Sequence, residues 1–209
     1  TPPTVNASYG DQMNNINFHT VILQPPFYEN KMDDAVNYGG IGAVIGHELT
    51  HGFDDQGRQF DADGNLKDWW TAEDAKEFEK RAECFVKEYS SFETIPGVHL
   101  NGKLTLGENT ADNGGLRLAF MALMDTLKDK PAPEKIDGYT PQQRLFLGWG
   151  QVWCQNQTPE VARLRANVDP HSPGKYRVNG VVSNMPEFQK AFACRVGQPM
   201  VRQPACRVW

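Results

Sequence analysis

Long apolar runs are missing from this sequence. Every apolar stretch is broken by Gly, Asp or Lys well before the roughly 20 residues that a spanning helix needs, so nothing in it is expected to cross a bilayer. An excess of positive charge is missing too. Asp and Glu outnumber Lys and Arg by 26 to 21, the formal net charge is -5, and no basic stripe carries interleaved aromatics. That removes any general attraction for nucleic acid or an anionic membrane. Cysteine is scarce: Cys84, Cys154, Cys194 and Cys206 are widely spaced with no Cys-X-X-Cys pair, which argues against a cysteine zinc site and favours disulfides. The terminal Cys206-Arg207-Val208-Trp209 sits where a prenylation box would, without its two aliphatics or a usual last residue. No repeat, low-complexity tract or long linker divides the 209 residues, which are enough for one large domain or two small ones. A signal peptide and a starting Met are also lacking; the opening Thr1-Pro2-Pro3 suggests a processed product or a piece of something longer.

What is present concentrates in residues 38–57. His47 and His51 are four apart, and on a helix advancing about 100° per residue they point within about 40° of each other, offering two imidazoles from one face. Glu48, one position on, can reach a water held by a metal there without being a ligand, as the general base of a zinc hydrolase must. Ile41, Val44, Ile45 and Leu49 recur at spacings of three and four, which predicts an amphipathic helix, opened at Asn37 or Tyr38 and buried on that side. Gly39, Gly40, Gly42 and Gly46 each cost such a helix about 1 kcal/mol relative to Ala, a density that implies close approach of another backbone.

Ahead of this helix, residues 5–24 read as a hairpin. Ile16 to His19 alternate as a strand does, Gly10-Asp11 and Asn14-Asn15 supply the turn, and Pro25-Pro26 ends the pairing. Behind it, residues 55–68 are rich in turn formers. Asp61, Asp63 and Asn65 resemble the start of a calcium loop, but with Gly at the fourth place and no closing Glu they read as a surface turn. Thr71 caps a helix carrying Phe78, Ala82, Phe85, Val86 and Tyr89, and residues 97–102 read as a loop. Glu108 opens a second helix through Leu116, Leu118, Met121 and Leu127, followed by a solvated connection at 128–138. Thr140-Pro141 starts a helix with Leu145, Phe146, Trp149, Val152 and Trp153, and residues 159–168 and 186–194 read as short helices.

Two histidines need a third protein ligand and leave a fourth position open in a catalytic zinc site. Glu108 and Asp112, four apart, provide two carboxylates facing the same way. One can bind metal while the other accepts a hydrogen bond from the far nitrogen of a ligand His. From the residues alone, His171 is a surface His before Ser-Pro and Arg177 lies on a strand face within Lys175 to Val178.

With the His47 to Asp55 block, the block from Gly107 to Gly115, Asn6-Ala7-Ser8-Tyr9, Ile22 to Phe27, Gln151-Val152-Trp153-Cys154, His171-Ser172-Pro173-Gly174 and the final Cys-Arg-Val-Trp, in that family's order, the chain resembles the neprilysin and endothelin-converting-enzyme family of zinc metallopeptidases. The resemblance implies an α+β, thermolysin-like zincin catalytic domain over residues 1–209, with a small antiparallel sheet and a mainly helical remainder. It implies one zinc ion on His47, His51 and Glu108, with Glu48 activating water, Asp112 orienting His47 and Asp54 orienting His51. His171 would stabilise the oxyanion, and Arg177, Asn6 and Ala7 would hold the substrate backbone. Ile22, Phe27, Ala43, Val44, Val152 and Trp153 match the family's hydrophobic pocket for the side chain after the scissile bond, so cleavage is expected on the amino side of Phe, Leu or similar residues in short peptides. Cys84 would pair with Cys206, while Cys154 and Cys194 match cysteines with partners in an amino-terminal lobe that these residues do not include. That lobe of the same precursor is then a candidate partner, the compartment is oxidising (extracellular, cell-surface or periplasmic), and the alternative is a zinc-holding peptide-binding domain with little activity until the lobe is supplied.

Overall fold

The computed structural model describes residues 4–128 and 134–209. Thr1-Pro2-Pro3 and residues 129–133 of the expected connection lie outside the described residues. The amino-terminal hairpin forms as the alternation predicts: β1 (Ala7–Gly10) pairs antiparallel with β2 (Asn15–Phe18), Ala7 facing Phe18 and Gly10 facing Asn15. Asn14 takes the left-handed turn conformation with φ of 45°, which Asn tolerates better than most residues. Its side chain also fastens the hairpin: Tyr9 donates to Asn14 Oδ1 at 2.7 Å and Asn14 Nδ2 donates to the Ala62 carbonyl at 3.1 Å. In the loop that receives it, Asp61 Oδ1 accepts from the backbone N–H groups of Asp63 and Asn65, both at 3.0 Å. That carboxylate is occupied by its own turn, as the surface-turn reading requires.

The helix bearing the two histidines begins earlier than expected. A short α1 (Asp34–Asn37) leads through a wide π-helical turn (Tyr38–Gly42) into α2 (Ala43–His51). Within the wide turn the Ile41 N–H leaves the helix and donates to the Phe27 carbonyl at 2.8 Å, and Gly40 lies against the same carbonyl where a side chain would collide. Gly46 meets Gly115 of α4 (Leu106–Leu127), where an added Cβ would lie 2.6 Å from the Gly115 carbonyl oxygen. The expected apolar stripe is therefore only partly buried. Ile41 and Val44 are inside, but Ile45 and Leu49 are 41% and 49% exposed. The buried face is instead the narrow seam of Ala43, Gly46, His47 and Thr50, because small residues are what let the two helices touch.

The remaining helices build a wall behind this pair. Thr71 caps α3 (Ala72–Ser90) by accepting from the Asp74 N–H, and Phe78, Ala82, Phe85 and Tyr89 are buried along it. Thr140 and Gln143 form a reciprocal capping box on α5 (Pro141–Val152), and α6 (Pro159–Val168) has the predicted bounds. Three expectations need correction. The segment read as a loop from Gly97 contains one arm of a second two-stranded hairpin, β3 (Glu93–Ile95) and β4 (Val98–His99), whose strands are too short to display a period. Lys175 to Val178 belong to a helix, α7 (Gly174–Ser183), started by Pro173, and not to a strand. The last helix, α8 (Pro186–Ala191), stops before Cys194. One core gathers Leu116, Leu123, Leu145, Trp149 and Val181 from α4, α5 and α7; a second joins Phe85 and Tyr89 to Tyr176 and Cys206. Cys84 on α3 is bonded to Cys206, closing a 122-residue separation, so the chain's carboxy-terminal end is tied to that second core. The architecture is α+β, mainly helical with small antiparallel sheets, and no helix among the described residues is long and apolar enough to cross a membrane.

Two consequences are testable. Gly46→Ala forces a methyl group into the α2–α4 contact and is expected to cost about 1–3 kcal/mol, whereas Gly150→Ala, with open space beside it on α5, should be neutral or gain up to about 1 kcal/mol; urea midpoints of the two variants decide this. Glu88 on α3 is 1% exposed, and burial raises its carboxyl above the ordinary range although Asn184 Nδ2 at 2.8 Å and Arg202 Nε at 3.6 Å oppose the rise. The folded state therefore holds this proton longer than the unfolded chain, so its stabilisation is complete at acid pH and is lost as pH climbs through the raised value. Glu88→Gln, which keeps an acceptor for Asn184, is expected to melt about 2–4 °C above the parent at pH 8 and to lose that advantage at pH 4.

Candidate metal centre and cleft

The Gly46–Gly115 contact sets the spacing of α2 and α4, and four of the five chemistry-bearing side chains on these helices face each other across it. His47 Nδ1 lies 2.8 Å from Asp112 Oδ1, and His51 Nδ1 lies 2.7 Å from Asp54 Oδ2. In the neutral form of each ring the hydrogen sits on Nδ1, given to the carboxylate, and Nε2 is left to take a cation. The two Nε2 atoms are 3.0 Å apart. Lone pairs that close require a cation between them, and zinc at its usual distance of about 2.0–2.1 Å from each nitrogen fits a tetrahedral pair about 3.3 Å apart. His47 answers the same demand with a proton: burial opposes it, but Asp112 and Glu108 outweigh burial and raise its pKa to about 9.

Glu108 supplies the carboxylate on the far side. Its Oε2 is 3.3 Å from His47 Nε2 and its Oε1 is 3.8 Å from His51 Nε2. Oε2 is buried and accepts no hydrogen bond, an orphaned oxygen facing the His47 imidazole. Burial would raise this carboxyl, yet His171, His47 and Arg177 together hold it well below the usual range, so it stays ionised. Two imidazoles and a carboxylate are the donor set of a catalytic zinc site, and the residues present fit that ion. Glu48 is buried beside them, with a carboxylate oxygen within 4.8 Å of a ring nitrogen of each histidine. Burial pushes its carboxyl above the usual range, against the pull of both imidazoles.

Asp112 is the most enclosed of these acids, 1% exposed, and it carries two partners at once. Arg177 from α7 donates to it through Nε at 2.7 Å and Nη2 at 2.6 Å, while His47 occupies the same carboxylate from α2. Burial would raise Asp112, and the Arg177 and His47 charges reverse that. Arg177 is also stacked on the Trp153 ring, 3.8 Å from its centroid, so the guanidinium is held along one edge by Asp112 and on one face by the indole. The surface-strand placement for Arg177 is thereby corrected: it is buried, helical and paired. His171, in contrast, remains half exposed. Its Nε2 is 3.1 Å from Glu108 Oε1, which raises its pKa, and its Nδ1 is 2.9 Å from Asp169 Oδ1.

These groups open on one cleft of about 740 Å³. Asn6, Ala7, Ile22, Phe27, Val44, Trp153, His171 and Arg177 line it together with the metal-site residues. Ala43 and Val152, expected in the hydrophobic pocket, do not: Ala43 is fully buried in the core around Leu116 and Trp149, and Val152 packs against that core. Trp149 lines the cleft instead, one helical turn before Trp153. Sequence reasoning also passed over Asp169, which orders His171; the Asp-X-His spacing, with Asp169 Oδ1 accepting the His171 N–H at 2.9 Å, was the available signal.

Comparison with known proteins bears on all of this. The model of peptidase family M13 matches residues 6–208. Endothelin-converting enzyme 1 of Mus musculus is 47% identical over the whole chain, and neprilysin of Homo sapiens is 46% identical over 98% of it. The chain spans 27% and 28% of the lengths of those two proteins. Among solved structures, the zinc metalloprotease ZMP1 of Mycobacterium tuberculosis in complex with inhibitor superposes with a TM-score of 0.95 at 47% identity, covering all of this chain and 33% of that one. PEPO from Lactobacillus rhamnosis gives 0.85 at 37% identity, over 97% of this chain and 30% of its own. The α+β zincin-like fold expected from the resemblance is the one these structures share. With the family model matched over residues 6–208, the chain belongs to peptidase family M13.

Proposed function

We propose that residues 1–209 act as one catalytic unit, a zinc-dependent endopeptidase that cleaves short peptides on the amino side of a hydrophobic residue. The observation that carries this reading is the facing pair of Nε2 atoms at 3.0 Å beside the orphaned Glu108 oxygen, with Glu48 next to them and not paired away. His47, His51 and Glu108 would hold one zinc ion, and Asp112 and Asp54 would fix the two imidazoles. Bound zinc would supply a Lewis acid and ease loss of a proton from the attacking water.

The chain's own residues do the rest. Glu48 takes the proton from the water and passes it to the leaving amine, and its raised proton affinity serves the second half of that transfer. His171 donates to the oxygen that gains charge as the carbonyl is attacked. Arg177 and Asn6 hold the peptide backbone beside β1, whose edge away from β2 borders the cleft and whose first residue is Ala7. Ile22, Phe27, Val44 and Trp153 receive the side chain that follows the cut. A further lobe of a longer precursor belongs to the same proposal as the partner that would cover the cleft, and the Cys84–Cys206 bond suits an extracellular, cell-surface or periplasmic setting.

Cleavage of an internally quenched peptide with Phe or Leu after the expected bond tests the central claim. Zinc-loaded parent should cut, and Glu48→Gln with unchanged zinc content should lose about 10²- to 10⁴-fold in kcat. Zinc binding without cleavage by either protein would leave a peptide-binding domain that needs the further lobe. Val44→Phe should narrow the pocket, lowering kcat/KM for a Phe peptide relative to an Ala peptide by about tenfold or more.

A further inference from the structure

His171 presents a puzzle of placement. Its side chain is 48% exposed, and of its two ring contacts, the one to Asp169 lies within its own loop and moves with it. Only the 3.1 Å approach to Glu108 crosses the cleft, and that contact joins two groups whose arrangement must change when substrate enters. Something else has to fix the loop against α4. Ser172, the next residue, donates through Oγ to Asn109 Oδ1 at 2.7 Å, and Asn109 is the residue after Glu108. The bond is buried, Ser172 being 3% and Asn109 0% exposed. It runs beside the His171–Glu108 contact, one residue along from each of its members.

We propose that this hydrogen bond is the lock that sets His171 over the metal site, making Ser172 and Asn109 positioning residues for the peptidase reaction. Asn109 is itself rigidly held: its Nδ2 donates to Thr105 Oγ1 at 2.9 Å, its N–H to the Thr105 carbonyl at 2.9 Å, and its carbonyl accepts Asn113 Nδ2 at 2.8 Å. On the other side, Pro173 leads into α7, whose Arg177 is clamped to Asp112 of α4. The loop is thus pinned to α4 at two places, and Ser172 is the pin adjacent to the imidazole. Removing the Ser172 hydroxyl leaves the buried Asn109 Oδ1 without a donor and so lowers stability as well. Displacing a reacting donor by about 1 Å can cost on the order of 10²-fold in rate. What marks a lock, as distinct from a structural bond, is a kcat loss that depends on the presence of His171.

The proposal rests on reading His171 as the oxyanion donor, and a double-mutant cycle separates the two. His171→Ala is expected to lower kcat about 10²-fold. Ser172→Ala should lower kcat about tenfold with KM within about twofold, and should change kcat less than about twofold when His171 is already Ala. Ser172→Thr, which keeps the hydroxyl, should stay within about twofold of the parent, and Ser172→Cys, which keeps the volume but donates weakly, should reproduce the loss if the Ala variant does not fold. In the metal-free protein, amide exchange across residues 169–173 should quicken about tenfold in Ser172→Ala while α4 is unchanged. An unaltered kcat in Ser172→Ala beside a large loss in His171→Ala overturns the lock alone, as does a loss that persists in the His171→Ala background or an unaltered exchange rate. No loss in His171→Ala overturns the oxyanion reading and the lock with it.

Discussion

Side chains as short as His and Asp meet across two helices when the backbones approach closely, and Gly46 and Gly115 permit that approach between α2 and α4. Each has its missing Cβ pointed at the other helix's main chain. From this contact follow the reach of Asp112 to His47, the approach of Glu108 to both Nε2 atoms, and the burial of Thr50 beside Gly114. A methyl group here would push apart the two elements that carry the proposed ligands. The propensity lost to glycine in α2, about 1 kcal/mol per residue, is what the close approach costs.

Such proximity gathers charge in a region with little water. Asp112, Glu108, His47 and Arg177 are all buried or nearly so, and each would be expensive there alone. The arrangement resolves this by sharing: Asp112 takes two hydrogen bonds from Arg177 and one from His47, and Glu108 faces His47, His51, His171 and Arg177. Burial and charge act in opposite senses on every member, and charge prevails, leaving both acids ionised and His47 with a raised proton affinity. Glu48 differs in cause, since burial itself raises its proton affinity. Adjacent residues on one helix thus hold protons for different reasons, His47 through neighbouring carboxylates and Glu48 through burial.

Much of this was legible before any coordinates. His47 and His51 at a spacing of four, Glu108 and Asp112 at the same spacing, and four glycines ahead of the first pair specify two helices in close contact with facing ligands. The N-caps Thr71 and Thr140 mark their helices because a capping hydroxyl acts locally and leaves a local signature. What failed to show depended on partners remote in sequence. Ile45 and Leu49 have the period of a buried stripe, but which stripe of α2 is inward is decided by α4. The environment of Arg177 is set by Asp112, 65 residues away, and no local pattern distinguishes a buried arginine from an exposed one. The strands of the second hairpin are two and three residues long, below the length at which alternation can be seen.

The cleft also divides by how its residues are held. His47, Asp112 and Arg177 are interior helix residues locked by charge-assisted bonds, and a change in any of them leaves another charge buried and unpaired. Asn6 and His171 sit at the rim, one on the approach to a two-stranded edge and one in a loop, both exposed to solvent. Two kinds of contact tie the rim to the interior: the hairpin is joined through the buried cluster of Ala7, Ile22, Ile41 and Val44, and the His171 loop through the Ser172–Asn109 bond. Precision at an exposed side chain then depends on a buried neighbour one residue away. The same division leaves rim positions freer to vary, while the interior, whose charges are mutually compensated, admits almost no substitution.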